Sequence, residues 1–408
     1  MKTSSLNQLL LSSTEAGQTS HTLVCVFLRG GADTLNLVVP VADDNYYRAR
    51  PTLGIKAAST LKLDDRYGFH PAMKPLEASF KEGRLGMVQG VGTDSTSGSH
   101  FECQDQMEHG DNEKGRPAGG GWLGRFLRAR ASQSQSALSA VAIGTILPES
   151  LRGAPSVSVL EHLDDIAIKA PSGDSKKIVS ALNALYGADV TLLGERGLQT
   201  LDLFERVSAL HGKDYKAEHE AEYPIRNRFA DGLREVARLI KARVGLQVAC
   251  LDLPGWDTHF FQGTDLGAGS HATNAKMLAE GLAAFDLDLK SHRANYTVMI
   301  TTEFGRRIYE NASLGTDHGR GFCFMALGDR VKGGRVLGEW PLAAMDERNP
   351  LGPGGLEIQH DYSEVFGEVL RGSMGLTRDE EKIVFPNEAG TESRLTGKAI
   401  GLFGAPAA

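Results

Sequence analysis

No apolar run in this 408-residue chain approaches the length a membrane-spanning helix needs. Clustered basic charge is missing too. The 44 Lys and Arg stand against 51 Asp and Glu, and the net charge of -7 is spread thinly. Nucleic acid is therefore disfavoured as a partner, because holding a phosphate backbone takes a concentrated Lys/Arg surface. Cysteine is scarce: Cys25, Cys103, Cys250 and Cys323 lie far apart and form no C-x-x-C pair. Three of them (Cys25, Cys250 and Cys323) fall in apolar, strand-like runs, where a thiol serves as a small buried side chain rather than a disulfide partner or metal ligand. The first twenty residues have no basic region and only a stub of apolar character. As written they are not a signal peptide, which would mean the cytoplasm if the N-terminus is complete.

Several catalytic signatures are absent as well. No G-x-S-x-G nucleophile elbow occurs, which argues against an ordinary serine esterase. No G-x-x-x-x-G-K-[ST] phosphate loop occurs either. Gly119, Gly121 and Gly124 match G-x-G-x-x-G, but a polar segment precedes them where a dinucleotide fold requires a strand.

What is present is an ordinary globular profile, 41% hydrophobic and 23% charged, on a chain long enough for a large core. Strand-like runs (TLVCVFL, RLGMVQGVG, ALSAVAIG, LQVACLDL, YTVMITTEF and FCFMALGD) alternate with helical stretches. Near-continuous apolar strands bury both faces, so the expectation is a mostly parallel sheet covered by helices on each side. We expect a tail over 1–21 and one α/β domain over 22–408, with a helical insertion at about 175–244 as a cap.

In such sheets ligands bind beyond the carboxyl ends of the strands. The residues expected there are Asp33 after two glycines, Ser99 and His100 in and after a Ser/Thr-rich loop, Asp252 near the end of LQVACLDL, and Asp257 and His259 after it. Glu303 and Phe304 end YTVMITTEF, Arg306 and Arg307 follow it, and Asp317 and His318 come soon after. An isolated Asp at a strand end is more often a turn or helix cap. Carboxylates and imidazoles gathered from four strands are different, because they repel one another unless a cation joins them. They form a donor set for zinc, manganese or a similar divalent ion. Ser99 at a helix start is either an N-cap or a nucleophile placed where the helix end favours an anion.

The blocks LRGGADTLNLVVP, YRARP, GFHPAM, GVGTDSTSGSHFECQD, GWLGRFL, DLPGWDTHFFQ, TTEFGRR and ENASLGTDHGRG, in this order, resemble the bacterial domain-of-unknown-function family 1501. That family is grouped with the alkaline-phosphatase-like superfamily of phosphatases, sulfatases and phosphoglycerate mutases. The resemblance implies a three-layer α/β/α sandwich and one or two divalent ions (zinc, manganese, calcium or magnesium). Asp33, Asp257, His259, Glu303, Asp317 and His318 would be the metal ligands and Ser99 the nucleophile. Glu303 stands where the superfamily has an Asp-His pair, leaving His100 or Asp252 to complete the second metal position. The sulfatase signature Cys-x-Pro-x-Arg is absent, so a modified-cysteine sulfatase is disfavoured. The resemblance points to the periplasm or to secretion.

The leading expectation is a metal-dependent hydrolase of phosphate- or sulfate-type esters, using Ser99 or a metal-activated water. Its substrate would be a small anionic ester or a sulfated or phosphorylated saccharide. Arg306 would grip the oxyanion through its planar fork of donors, and Arg29 would form a surface ion pair. The alternatives are a secreted or surface binding protein with a structural metal, and a mutase-type phosphotransferase.

Overall fold

The computed structural model describes residues 21–93, 95, 97–110, 119–130, 138–165, 175–208, 215–264, 269–338, 356–387 and 390–404. Its strands, in chain order, are β1 (Thr22–Leu28), β2 (Val38–Val39), β3 (Leu61–Lys62), β4 (Gly68–Phe69), β5 (Leu85–Gly92), β6 (Ala140–Ile143), β7 (Ser158–Leu160), β8 (Val248–Leu253), β9 (Tyr296–Thr301), β10 (Phe322–Leu327), β11 (Arg335–Leu337) and β12 (His360–Asp361). Its α-helices are α1 (Asp44–Ala49), α2 (Glu77–Lys81), α3 (His100–His109), α4 (Trp122–Ala129), α5 (Ser175–Ala188), α6 (Leu192–Ser208), α7 (Arg228–Ala242), α8 (Ser270–Asp288), α9 (Tyr362–Val369) and α10 (Arg378–Val384).

One sheet dominates, with strand order β11-β5-β10-β9-β1-β8-β6-β7 and β12 added beside β5. Only β10 runs antiparallel to its neighbours. The chain is thus a three-layer α/β/α sandwich around a mostly parallel sheet. β1 lies in the middle, between β8 and β9. Both its faces are covered, which is why its sequence is apolar throughout instead of alternating.

The two faces carry separate cores. Val24, Val26 and Leu28 join Phe229, Leu233 and Val236 of α7 and Leu278, Leu282 and Phe285 of α8. Leu23 and Phe27 face the other way, joining Met107 of α3, Trp122 and Phe126 of α4, and Phe366 of α9. The mean burial of these side chains is near complete, and each contributes on the order of 1.5–3 kcal/mol by leaving water.

The helical stretch expected over 175–244 divides in two. α5 and α6 pair with each other, and α5 has no buried residue. α7 belongs to the sandwich, its start capped by Asn227, whose side chain accepts from Ala230 N–H. Residues 215–227 between them are irregular, with His219, Glu220 and Arg226 at positive φ. They are tied down by buried Asp288, which accepts from Tyr215, Tyr223, Lys241 and the Glu218 N–H.

The direction of each strand fixes where the chemistry gathers. β1, β5, β8 and β9 end at one edge of the sheet, and antiparallel β10 begins there. The loops holding Asp33, Ser99, Asp257 and Glu303 therefore meet Asp317 and His318, which precede β10.

Candidate metal centre

The loop after β1 approaches the loop after β8 so closely that a side chain has no room. A Cβ on Gly30 (φ +118°) would lie 2.5 Å from Asp257 N, and one on Gly315 would lie 2.3 Å from the His259 backbone. Glycine at these two points is the condition for the loops to touch.

Four side-chain atoms converge at this junction. Asp257 Oδ1 lies 3.2 Å from His259 Nε2, 3.4 Å from His318 Nε2 and 3.4 Å from His100 Nε2. The two nitrogens of His259 and His318 are 2.8 Å apart. His100, Asp257 and His318 offer ligand atoms all within 4.8 Å of one another.

Behind each ring stands a group that can only accept. His100 Nδ1–H donates to Glu303 Oε1 at 2.9 Å, His259 Nδ1–H to Asp317 Oδ1 at 2.9 Å, and His318 Nδ1–H to the Gly98 carbonyl at 2.7 Å. A ring whose Nδ1 carries the proton presents a lone pair at Nε2. Three such lone pairs and a carboxylate oxygen face one another here. The His100 Nε2 is buried and has no hydrogen-bond partner. A cation could lie among His100, Asp257 and His318, and His259 Nε2 stands beside two of these, 3.2 Å from Asp257 Oδ1 and 2.8 Å from His318 Nε2. A set of three imidazoles and a carboxylate suits zinc in tetrahedral geometry, with acceptors behind the rings as metal-binding histidines have them.

The surrounding charges act differently on the members of the group. Burial alone would raise Asp257, but the Arg306 hydrogen bond and charge, with His259 and His100, bring its pKa down to about 2. Burial and the nearby Arg306 charge lower His318, which favours its neutral ring. The hydrogen bond to Glu303 raises His100 despite partial burial. Glu303 is buried, which works against its charge, yet bonds from His100 and Gln104 hold its pKa below the usual range. Asp317 is likewise lowered against its burial by His259 and Asn311.

The remaining sequence candidates are placed differently. Asp33 is fully buried outside this cluster. Its carboxylate takes both arms of Arg50 (2.6 and 3.0 Å) and the Gln262 amide at 2.5 Å. Glu303 and Asp317 stand one bond behind the convergence point, on His100 and His259. Arg306 is buried with its donors taken up by Asp257 Oδ1 (2.7 Å) and by the carbonyls of Gly30, Gly31, Trp256 and Thr316. Ser99 is exposed at the N-cap of α3, where its hydroxyl accepts from Glu102 N–H at 3.5 Å. Asp252 and Glu108 pair with Arg29 (3.1 and 2.6 Å). Arg307 Nε donates to the His318 carbonyl at 3.2 Å.

The sequence offered His100 only as an alternative to Asp252 for a second metal position, and it did not single out Arg50 or Gln262. The signal for Arg50 lay in the YRARP block, since a buried carboxylate needs a cation somewhere. Nothing in the sequence assigns Arg50 over Arg48. Among the described residues the other titratable group of this kind, Asp105, His109 and Glu149, is at the surface, and Glu149 is shared with Arg152.

The family described as "Protein of unknown function (DUF1501)" matches residues 20–356. Among curated proteins none matches the sequence. Three solved structures share a distant likeness. The C-terminal periplasmic domain of EcEptC from Escherichia coli, in complex with Zn, is 11% identical over 77% of this chain and 74% of its own, with a TM-score of 0.34. The alkaline phosphatase from the Antarctic bacterium TAB5 is 11% identical over 88% and 99%, at 0.33. The PsFucS1 sulfatase from Pseudoalteromonas sp. is 12% identical over 98% and 78%, at 0.36.

Proposed function

We propose that this chain, which belongs to the DUF1501 family, holds a divalent metal ion on His100, Asp257, His259 and His318 and hydrolyses phosphate- or sulfate-type esters beside it. The observation that carries this reading is the convergence of three Nε2 atoms and Asp257 Oδ1, each ring fixed from behind by an acceptor. When bound, a divalent ion there supplies Lewis acidity and positive charge toward an ester oxyanion.

The chain's own residues supply the rest. Glu303, Asp317 and the Gly98 carbonyl hold the rings in one tautomer and orientation. Arg306 positions Asp257 and ties its loop to the β1 loop. Asp33, through Arg50 and Gln262, anchors the ground on which those loops stand. Ser99 lies between Gly98 and His100 in the chain, and its hydroxyl is at the positive end of α3. That end favours an anionic substrate, and the hydroxyl is the group we assign to attack or to orient water. The cap bond it makes is long and is replaced readily by solvent, since the residue is exposed.

The test begins with elemental analysis of chelator-free protein after dialysis against zinc, manganese, magnesium and calcium. One equivalent or more is expected in the native chain and none in His318→Ala. Phosphate and sulfate monoesters are then screened with the retained metal, comparing native protein with Ser99→Ala. No stoichiometric uptake would end the metal reading. Uptake with turnover unchanged in Ser99→Ala would remove Ser99 from the chemistry. Uptake without turnover of any ester would favour a binding protein whose metal holds loops together.

A further inference from the structure

A second cluster of ligating atoms lies on the sheet itself, away from the strand ends. Cys25 of β1 is the register partner of Cys250 on β8 and of Met299 on β9. Register partners on parallel strands point to the same face and stand about 4.8 Å apart. Three sulfur-bearing side chains thus form a row across the centre of the sheet. Cys25 and Cys250 are both free thiols, side by side across the β1–β8 pairing. Met107 of α3 comes down on the row, its sulfur accepting from Thr301 Oγ1 at 3.6 Å.

All four sulfur residues line one cavity of about 30 Å³. Cores close to crystal density leave few such voids. This one is the size of a single water or a single ion, and its walls are apolar apart from Ser150, Thr301 and the Glu108 and Asp252 carboxylates that Arg29 bridges. A water there would find few strong partners among thiols and thioethers. Cys250 is buried and Cys25 half-buried.

We propose that this cavity binds one soft monovalent cation of the copper(I) type, through the Cys25 and Cys250 sulfurs with the Met107 and Met299 thioethers completing the set. Thiolates favour such ions over magnesium or calcium, the two soft thioethers favour them over zinc, and the ion tolerates the low coordination number a row permits. On binding, two S–H bonds break and two sulfur–metal bonds form. Both protons leave to solvent and no electron is transferred.

The site is independent of the histidine cluster, and the experiment separates the two. Full-length protein is titrated anaerobically with copper(I) against a chromophoric copper(I) chelator. The expected result is one equivalent per chain, a new thiolate-to-copper ultraviolet band, and two thiols withdrawn from a thiol reagent. Cys25→Ser with Cys250→Ser abolishes the band and the uptake. Met107→Leu with Met299→Leu, which conserves volume, weakens uptake by about tenfold or more. His318→Ala leaves the band unchanged. No uptake by the native chain, a band that survives loss of both cysteines, or a band lost with His318 instead would overturn the proposal. Uptake at native affinity in the methionine pair would remove the thioethers, and with them the four-sulfur site.

Discussion

Asp33 and Asp257 follow neighbouring strands at the same edge of the same sheet, and both have carboxyl groups held below their ordinary pKa. Their surroundings are opposite. Asp33 has no exposed surface, and its oxygens are saturated by Arg50 and Gln262. Asp257 has a half-exposed side chain and one oxygen shared by Arg306 and three imidazole nitrogens. A buried carboxylate fully paired with a guanidinium has no valence left for a ligand, and its removal leaves a stranded charge. A carboxylate facing lone pairs is the one that attracts a cation. Position at a strand end brings a residue to the site region, and its partners decide which of these two parts it plays.

The comparison is broken most sharply by removing each carboxylate. Asp33→Ala leaves Arg50 buried and unpaired, so a loss of about 3–5 kcal/mol is expected in denaturant unfolding. Asp257→Asn is expected to cost less than Asp33→Ala while losing the metal, because Arg306 keeps four backbone carbonyls and the asparagine oxygen as acceptors. Equal stability losses in the two variants would erase the distinction.

Acid should act on the Asp33 side first. His271 is fully buried and donates Nε2–H to the Asp33 carbonyl, and burial lowers its pKa to about 4 against the Asp33 charge that raises it. A histidine depressed in the folded state contributes stability that is complete above its unfolded value near 6.5. That contribution is lost as pH falls from there toward 4. His271 accounts for up to about 3 kcal/mol of it. The midpoint of thermal unfolding should therefore drop over that interval, and His271→Gln should flatten the profile. A profile with the same slope in both proteins would assign the acid sensitivity elsewhere.

The smallest expected effect sharpens the Asp257 side. Glu303→Gln keeps the shape behind His100 but places an amide among the Gly30, Gln104 and His100 donors that now meet a carboxylate. Metal affinity should fall about 10- to 100-fold, read by competition with a chelator, with stoichiometry retained. Complete loss of metal would instead make Glu303 a direct ligand.

Much of this was legible in the chain. The six strand-like runs all became strands of the main sheet, because strands buried on both faces have to be apolar along their whole length. Asp257, His259, Asp317 and His318 were legible as one site, because the strand order brings their loops to one edge. The antiparallel course of β10 was not legible. An apolar run carries no sign of direction, yet that direction is what delivers His318 to the cluster. Nor could pattern tell ligand from supporter among carboxylates. Asp33, Glu303 and Asp317 carry the same group as Asp257, and only the distances to Arg50, His100 and His259 separate them.

The sequence by itself determined the layered α/β architecture, the edge at which polar residues gather, and the types of ligand available there. These follow from burial periodicity and from chain order, both of which are local. The tertiary structure decided which donors point at one another, which carboxylate is matched by a buried guanidinium, and that Cys25, Cys250 and Met299 stand in one row. Those outcomes depend on strand register and direction, and these are set by contacts among residues more than two hundred positions apart.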